Sequence, residues 1–194
     1  MATKTIIITA GIHGDEPEGL ALAKKIKMLI KQGGLCGRDV EVVFHGMLNP
    51  SGFNAVTREN ADGIDLNREW TTDGNRTGSA ECAKAWSDII AARESFGDDL
   101  LVVDCHSLDG TPGVFFAGPK GRTVAEGCFR SVARLDTWTT AGTLTSACEA
   151  VGVAAIAIEV SNGESNASIA TAAYQALCTW ACYGPSGKAS YAAA

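Results

Sequence analysis

Gly11-Ile12-His13-Gly14-Asp15-Glu16 sets an imidazole and a carboxylate three residues apart, directly after an apolar run at residues 5–9. Ile6-Ile7-Ile8 reads as a buried strand, and Gly11 and Gly14 are turn formers that let the backbone bend sharply where it ends. His13 and Glu16 can then converge on one point. Imidazole nitrogen and carboxylate oxygen both suit zinc, and a catalytic zinc site takes three protein ligands and leaves one position open. Alone, the same spacing also describes a helix-start acid beside a loop histidine. A third ligand must come from elsewhere, and the chain has only three histidines, His13, His45 and His106. His106 ends a second β-like run, Leu101-Val102-Val103-Asp104-Cys105-His106. His45, in Val42-Val43-Phe44-His45-Gly46, reads as a packed or hydrogen-bonded structural histidine.

Between these segments lie Asn49-Pro50-Ser51-Gly52-Phe53 and Thr57-Arg58-Glu59-Asn60-Ala61-Asp62-Gly63-Ile64-Asp65-Leu66-Asn67-Arg68, too rich in Asn, Gly, Pro and Arg for ordinary secondary structure. A long irregular loop inside a compact domain is usually functional or disordered. Arg58 and Arg68 carry planar donor forks that suit carboxylates and developing oxyanions; singly, either reads equally as a surface charge. Further on, Val153-Ala154-Ala155-Ile156-Ala157-Ile158-Glu159-Val160 is a continuous apolar strand pattern with one acid near its end. An unpaired carboxylate is costly to bury there, so Glu159 either meets solvent at the strand end or faces a cleft as a general base.

These five ordered blocks, Gly-Ile-His-Gly-Asp-Glu, Asn-Pro-Ser-Gly-Phe, Arg-Glu-Asn-Ala-Asp-Gly-Ile-Asp-Leu-Asn-Arg, Asp-Cys-His-Ser and Ile-Glu-Val, resemble the zinc carboxypeptidases of the M14 type and their relatives, the murein peptide amidases and the succinylglutamate desuccinylase and aspartoacylase group. The wording of the third block is most similar to the murein peptide amidase branch. The resemblance implies one Zn2+ per chain held by His13, Glu16 and His106. It implies Glu159 as the base and acid that moves a proton from water to the leaving amine, and Arg58 as the group that polarises the scissile carbonyl. Asn67 and Arg68 would grip the substrate carboxylate. The substrate would be a small peptide, a muropeptide or an N-acyl amino acid. Pancreatic-type members carry a tyrosine in the substrate-covering segment upstream of the base; residues 133–159 here contain none and offer Trp138 instead. Two other readings stand beside the carboxypeptidase one: an N-acyl amino acid deacylase using the same residues, and a zinc-binding protein without turnover, against which Glu159 speaks.

With 194 residues, 46% hydrophobic and 20% charged, the chain reads as one globular domain over residues 1–183 and a flexible tail over 184–194. A net charge of −6 argues against nucleic acid, which usually needs a concentrated basic face. Seven cysteines, an odd number without a Cys-x-x-Cys pair, do not suggest a disulfide framework and point to a reducing compartment. Cys178 and Cys182 read as small residues on one helix face, and Cys105 as core, since alternation turns it away from His106. Met1-Ala2-Thr3-Lys4 runs straight into the first strand without a signal-peptide pattern, and no run reaches membrane-spanning length. The expectation is the cytoplasm of the cell that makes the protein, or of its host if the gene is viral.

The elements that must position these residues read as strand 4–10, helix 17–31, strand 39–46, a functional loop to about 77, helix 79–95, strand 99–105, strand 113–117, helix 121–133, helix 143–150, strand 153–160 and helix 166–182. Alternating strands and helices imply an α/β fold, a three-layer α/β/α sandwich whose largely parallel sheet the resemblance makes mixed and zinc carboxypeptidase-like. Ligands in such folds gather at the carboxyl ends of strands, where His13, His106 and Glu159 fall. Asp104, two residues before His106, shares its strand face and is placed to hold the imidazole. Asp65 reads as shaping its loop or contacting substrate.

Overall fold

The computed structural model describes residues 2–35, 39–162 and 166–187. β1 (Lys4–Ala10), β2 (Val40–His45), β5 (Leu100–Leu108) and β8 (Ala154–Ser161) pair in parallel in the order β2-β1-β5-β8. β6 (Gly113–Phe116) adds to β8 antiparallel, and β7 (Arg134–Thr137) adds to β6 in parallel. The sheet is therefore mixed and largely parallel, with six strands. One face packs Ile6, Ile8, Leu101, Val103, Ile156 and Ile158 against α1 (Pro17–Gly33) and α6 (Ala167–Tyr183), through Leu22, Ile26, Leu177 and Trp180. The other packs Ile7, Leu100, Val102 and Val153 against α3 (Ala80–Phe96) and α5 (Leu144–Ala150), through Trp86, Ile89, Leu144 and Cys148. Both faces being covered, the central strands β5 and β8 are buried almost throughout, which is why they read as continuous apolar runs.

Alternation along these buried strands decides which polar groups reach the site. Cys105 turns into the α1–α6 side, while Asp104 and His106 face the other way. The register places His106 directly beside Glu159 on neighbouring strands. Among the described residues, no helix is long and apolar enough to cross a membrane.

Three expectations need correction. The loop at residues 47–77 holds α2 (Pro50–Ala55), a 3-10 turn (Leu66–Arg68) and an antiparallel pair, β3 (Trp70–Thr71) and β4 (Gly74–Asn75). These elements are too short to show a hydrophobic period and depend on caps: Asn49 Oδ1 accepts from Gly52 N at 2.9 Å, and Asp65 Oδ1 from Asn67 N at 2.9 Å. The helix expected at 121–133 is instead α4 (Pro119–Val124), set by proline in its first turn, followed by a π turn to Phe129. Arg134–Thr137 then forms β7, a short edge strand whose outer residues carry no alternating apolar signal. The tail expected from residue 184 lies outside the described residues beyond 187; Gly184 and Pro185 carbonyls face the Cys128 thiol at 3.5 and 3.7 Å.

The turn after β1 that carries His13 is pressed against α2. A Cβ on Gly14 would stand 1.9 Å from the Gly52 carbonyl carbon and 2.2 Å from Phe53 N, both backbone atoms. Backbone cannot rotate away as a side chain can, so Gly14→Ala must separate the two loops; overpacking of this kind costs about 1–3 kcal/mol. We expect a lower urea midpoint together with weaker metal binding. An unchanged midpoint in chemical denaturation contradicts the tight contact.

Candidate metal centre

The turn that follows β1 is tied down by backbone and side-chain bonds from the Asn-Pro block. Leu48 N donates to Ala10 O at 3.2 Å and Asn49 N to Gly11 O at 2.8 Å. Asn49 Nδ2 reaches both Ile12 O at 3.2 Å and Arg58 O at 3.3 Å, so one amide ties the His13 turn to the Arg58 loop. Pro17 then begins α1, which leaves Glu16 at the mouth of the helix with its side chain free to turn toward the sheet.

There the Glu16 carboxylate stands between two imidazoles. Oε1 is 2.6 Å from His13 Nδ1, and Oε2 is 2.9 Å from His106 Nδ1 and accepts from Ser107 N at 3.0 Å. The ligand atoms of His13, Glu16 and His106 all lie within 4.8 Å of one another. Each imidazole is held from behind by another carboxylate: His13 Nε2 is 3.0 Å from Asp65 Oδ1, and His106 Nε2 is 2.8 Å from Asp104 Oδ2. Asp104 is itself fixed by Thr9 Oγ1 at 2.7 Å. The donor set fits a divalent cation. A carboxylate on the outer nitrogen keeps the proton there and turns the Nδ1 lone pair inward, the arrangement usual around metal-bound histidine.

The electrostatics agree. Burial pushes the Glu16 carboxyl up, but His106 and His13 outweigh it and hold the group well below the ordinary carboxylate range. Asp65 is lowered in the same way, burial being outweighed by His13 and Arg58. Burial opposes charge on His106, yet Asp104, Glu16 and Glu159 together raise its pKa well above the usual histidine value. A cluster this rich in carboxylate therefore holds a proton when it has no other cation, and a metal ion would take that place.

Around the cluster is a cavity of about 290 Å3 walled by His13, Glu16, Arg58 and Glu159, with Asp15, Asp109, Asn162 and Trp138 on its outer side. Arg58 is 34% exposed; its Nε donates to Asp65 Oδ2 at 2.9 Å and its Nη1 to Glu16 Oε1 at 3.3 Å, leaving further donors of the fork toward the cleft. Glu159 is 3% exposed, and among the described residues it makes no side-chain hydrogen bond. Burial, helped by Glu16 and Asp104, raises its pKa against the pull of His106 and His13. A smaller pocket meets the cavity at Trp138 and Glu159 and is lined by Asn67, Thr143 and Thr145. Asn67 spends its carbonyl on Leu144 N at 3.0 Å. Arg68, 37% exposed, donates Nη1 to Asn67 O at 2.8 Å and lines neither space.

The structure thus gathers His13, Glu16, Arg58 and Glu159 around one cavity, with His106 closing the His-Glu-His cluster behind it, Asn67 in the adjoining pocket and Arg68 farther out. His45 lies elsewhere, at 3.0 Å from Asp88. Sequence reasoning underrated Asp65, which joins His13, Arg58 and the Asn67 backbone, and passed over Thr143 and Thr145. A Ser or Thr ahead of a helix is a capping signal, and Thr143 does cap α5, accepting from Ser146 N at 3.3 Å.

An α/β sheet of this order, with a His-Glu-His cluster at the strand ends, is the zinc carboxypeptidase-like fold. Residues 2–109, more than half of the chain, match the succinylglutamate desuccinylase/aspartoacylase catalytic domain, and the chain belongs to that family of hydrolases. A metallo-carboxypeptidase from Burkholderia cenocepacia is similar in structure, with a TM-score of 0.63 and 17% identity over 92% of this chain and 56% of that one. The murein-tripeptide amidase MpaA from Escherichia coli O157 has a TM-score of 0.56 and 18% identity over 93% and 82%. An aspartoacylase family protein from Mesorhizobium loti MAFF303099 has a TM-score of 0.60 and 23% identity over 92% and 57%. The chain spans little more than half the length of the first and third. No curated protein matches it in sequence.

Because His106 must lose a proton to present Nδ1 to a metal, affinity should fall as pH drops below its raised pKa, by up to about tenfold per unit. Chelator competition at about pH 6, 7 and 8 should show affinity rising with pH. A pH-independent affinity rules out His106 as a ligand. At fixed pH, His106→Ala should lose bound metal in elemental analysis and His45→Ala should keep it; the reverse pattern overturns the ligand set.

Proposed function

We propose that the protein is a zinc-dependent hydrolase that cleaves an amide next to a free carboxylate, in a small peptide or a muropeptide. The observation that carries this reading is Glu159, a buried carboxylate with no hydrogen-bond partner among the described residues, one strand across from His106 and open to the cleft. A structural acid in that position would need a partner. A base that receives a proton from water needs to be free and to face the cleft, and Glu159 meets both conditions.

In this reading His13 Nδ1, Glu16 and His106 Nδ1 hold one zinc ion, with Asp65 and Asp104 fixing the rings. When bound, zinc acidifies water and polarises a carbonyl. Glu159 takes a proton from the attacking water and passes it to the departing amine nitrogen. The Arg58 fork, braced by Asp65, donates to the oxygen that gains charge as the carbonyl carbon becomes tetrahedral. Asn67 and Arg68 orient the substrate carboxylate on the far side of Glu159, Asn67 through its amide nitrogen, since its carbonyl is engaged by Leu144 N. Trp138, at the junction of both spaces, takes the covering place. We take residues 1–183 as one catalytic domain, the described elements ending at α6.

A second reading, removal of an acyl group from an N-acyl amino acid, is favoured by the family match over residues 2–109. It uses the same residues and differs only in what lies on the acyl side of the bond.

Glu159→Gln should retain zinc and fold but lose turnover by about 10²–10⁴-fold; near wild-type hydrolysis by metal-loaded, contaminant-free variant removes the base. Arg58→Ala should lower kcat, by about 10²–10³-fold if the fork serves the oxyanion. Arg68→Ala should instead raise KM, by about 10–100-fold for a lost hydrogen bond to a charged group. It should also erase preference for a free acid over its amide. Equal cleavage of acid and amide by the wild type contradicts the clamp.

A further inference from the structure

We propose that the smaller, inner pocket is a binding site for a single water molecule, and that this water, held by Thr145 and Asn67, fixes the direction in which the Glu159 carboxylate points. The inference rests on the role given to Glu159 above and deepens it. Size sets the occupant. The pocket has about 10 Å3, close to the smallest space that admits one water and too little for a substrate side chain. Asn67, Thr143, Thr145 and Glu159 line it, and all four are buried.

Their existing bonds decide which of them can take a water. Thr143 Oγ1 is committed: it accepts from Ser146 N at 3.3 Å and donates toward Ser146 Oγ at 2.8 Å or Thr140 O at 3.0 Å. Thr145 Oγ1 has one long contact, 3.3 Å to Thr143 Oγ1. Asn67 uses Oδ1 for Leu144 N at 3.0 Å, and its amide nitrogen makes no hydrogen bond among the described residues. Glu159 has no side-chain bond at all among them, although buried polar groups are nearly always paired.

Glu159 also lines both the inner pocket and the outer cavity, so its two oxygens can serve different spaces. A water that accepts from Asn67 Nδ2 and donates to Thr145 Oγ1 and one Glu159 oxygen makes about three bonds, the usual number for a buried water. The other oxygen is left to the outer cavity, beside His13 and Glu16. Asn67 Nδ2 carries two hydrogens, so one remains for a substrate carboxylate.

The wall that closes the pocket is fixed. Trp138 N donates to Phe116 O at 2.9 Å and its Nε1 to Thr140 Oγ1 at 2.6 Å. Gly142, at φ +82°, lies so close to Arg68 that a Cβ there would stand 2.1 Å from the Arg68 carbonyl oxygen. Thr145 is then a positioning residue, acting on the chemistry only through the water and Glu159.

A high-resolution crystal structure of the zinc-loaded protein should show one ordered water about 2.5–3.2 Å from a Glu159 oxygen, Thr145 Oγ1 and Asn67 Nδ2. In Thr145→Val, close to isosteric but without the hydroxyl, the water should be lost and Glu159 should occupy more than one rotamer; Thr145→Ser should keep both in place. With N-acetylalanine and alanylalanine as probes, Thr145→Val should lower kcat about tenfold or more, with KM within about twofold and zinc content unchanged. Thr145→Ser should recover most of that loss. An inner pocket without ordered water in the wild type, a direct bond from Glu159 to Thr145 or Asn67, or a valine variant with wild-type kcat overturns the proposal. So does a loss that appears in KM, or one that serine does not restore. If the water and the fixed carboxylate are seen while the wild type cleaves neither probe, the water site stands and the hydrolase reading falls.

Discussion

One carboxylate, Glu16, spans two imidazoles at 2.6 and 2.9 Å, and most of the site follows from keeping it there. A buried anion needs several donors or cations around it, and Glu16 has His13, His106, the Ser107 amide and Arg58. Each of these is held in turn. Asp104 grips His106 and is gripped by Thr9; Asp65 grips His13 and Arg58 together. The result is a network of alternating charges in which every acid faces a base. Glu159 stands outside it, without a side-chain hydrogen bond among the described residues, and its raised proton affinity belongs to the metal-free protein; a bound cation would draw it down again.

The fold's contribution is geometric. Parallel strands all deliver their carboxyl ends to one side of the sheet, so three segments far apart in sequence bring His13, Glu16, His106 and Glu159 to one place. The β5–β8 register fixes His106 against Glu159, and packing on both sheet faces makes that register hard to shift, since a slip of one residue would turn Cys105 and Ile158 into the cleft. The segment at 47–68, α2 and a 3-10 turn joined by loop, brings Arg58 and Asp65 back over the β1 turn. Asn49 and Gly14 make that approach close enough.

Legibility in the sequence followed the same division. Ile6-Ile7-Ile8, Leu101-Val102-Val103 and the run ending at Ile158 announced the central strands, because burial on both faces leaves an unbroken apolar pattern. The ordered motifs named His13, Glu16, His106 and Glu159, and the structure gathers the first three into one cluster with Glu159 on the strand beside His106. Arg134–Thr137 was illegible as an edge strand, having little apolar surface to bury. Asp65 was ambiguous because its partners, His13 and Arg58, are defined only once the loop has folded back.

The central claim is that the Glu16 carboxylate and two Nδ1 atoms form a metal centre and not merely a buried ion-pair network. X-ray absorption at the zinc edge of the loaded protein tests it most directly. The account predicts one ion with two imidazole nitrogens at about 2.0–2.1 Å and carboxylate oxygen at about 2.0–2.2 Å. The imidazole contribution should fall to one in His106→Ala. A zinc shell containing sulfur, or one unchanged by that substitution, contradicts it.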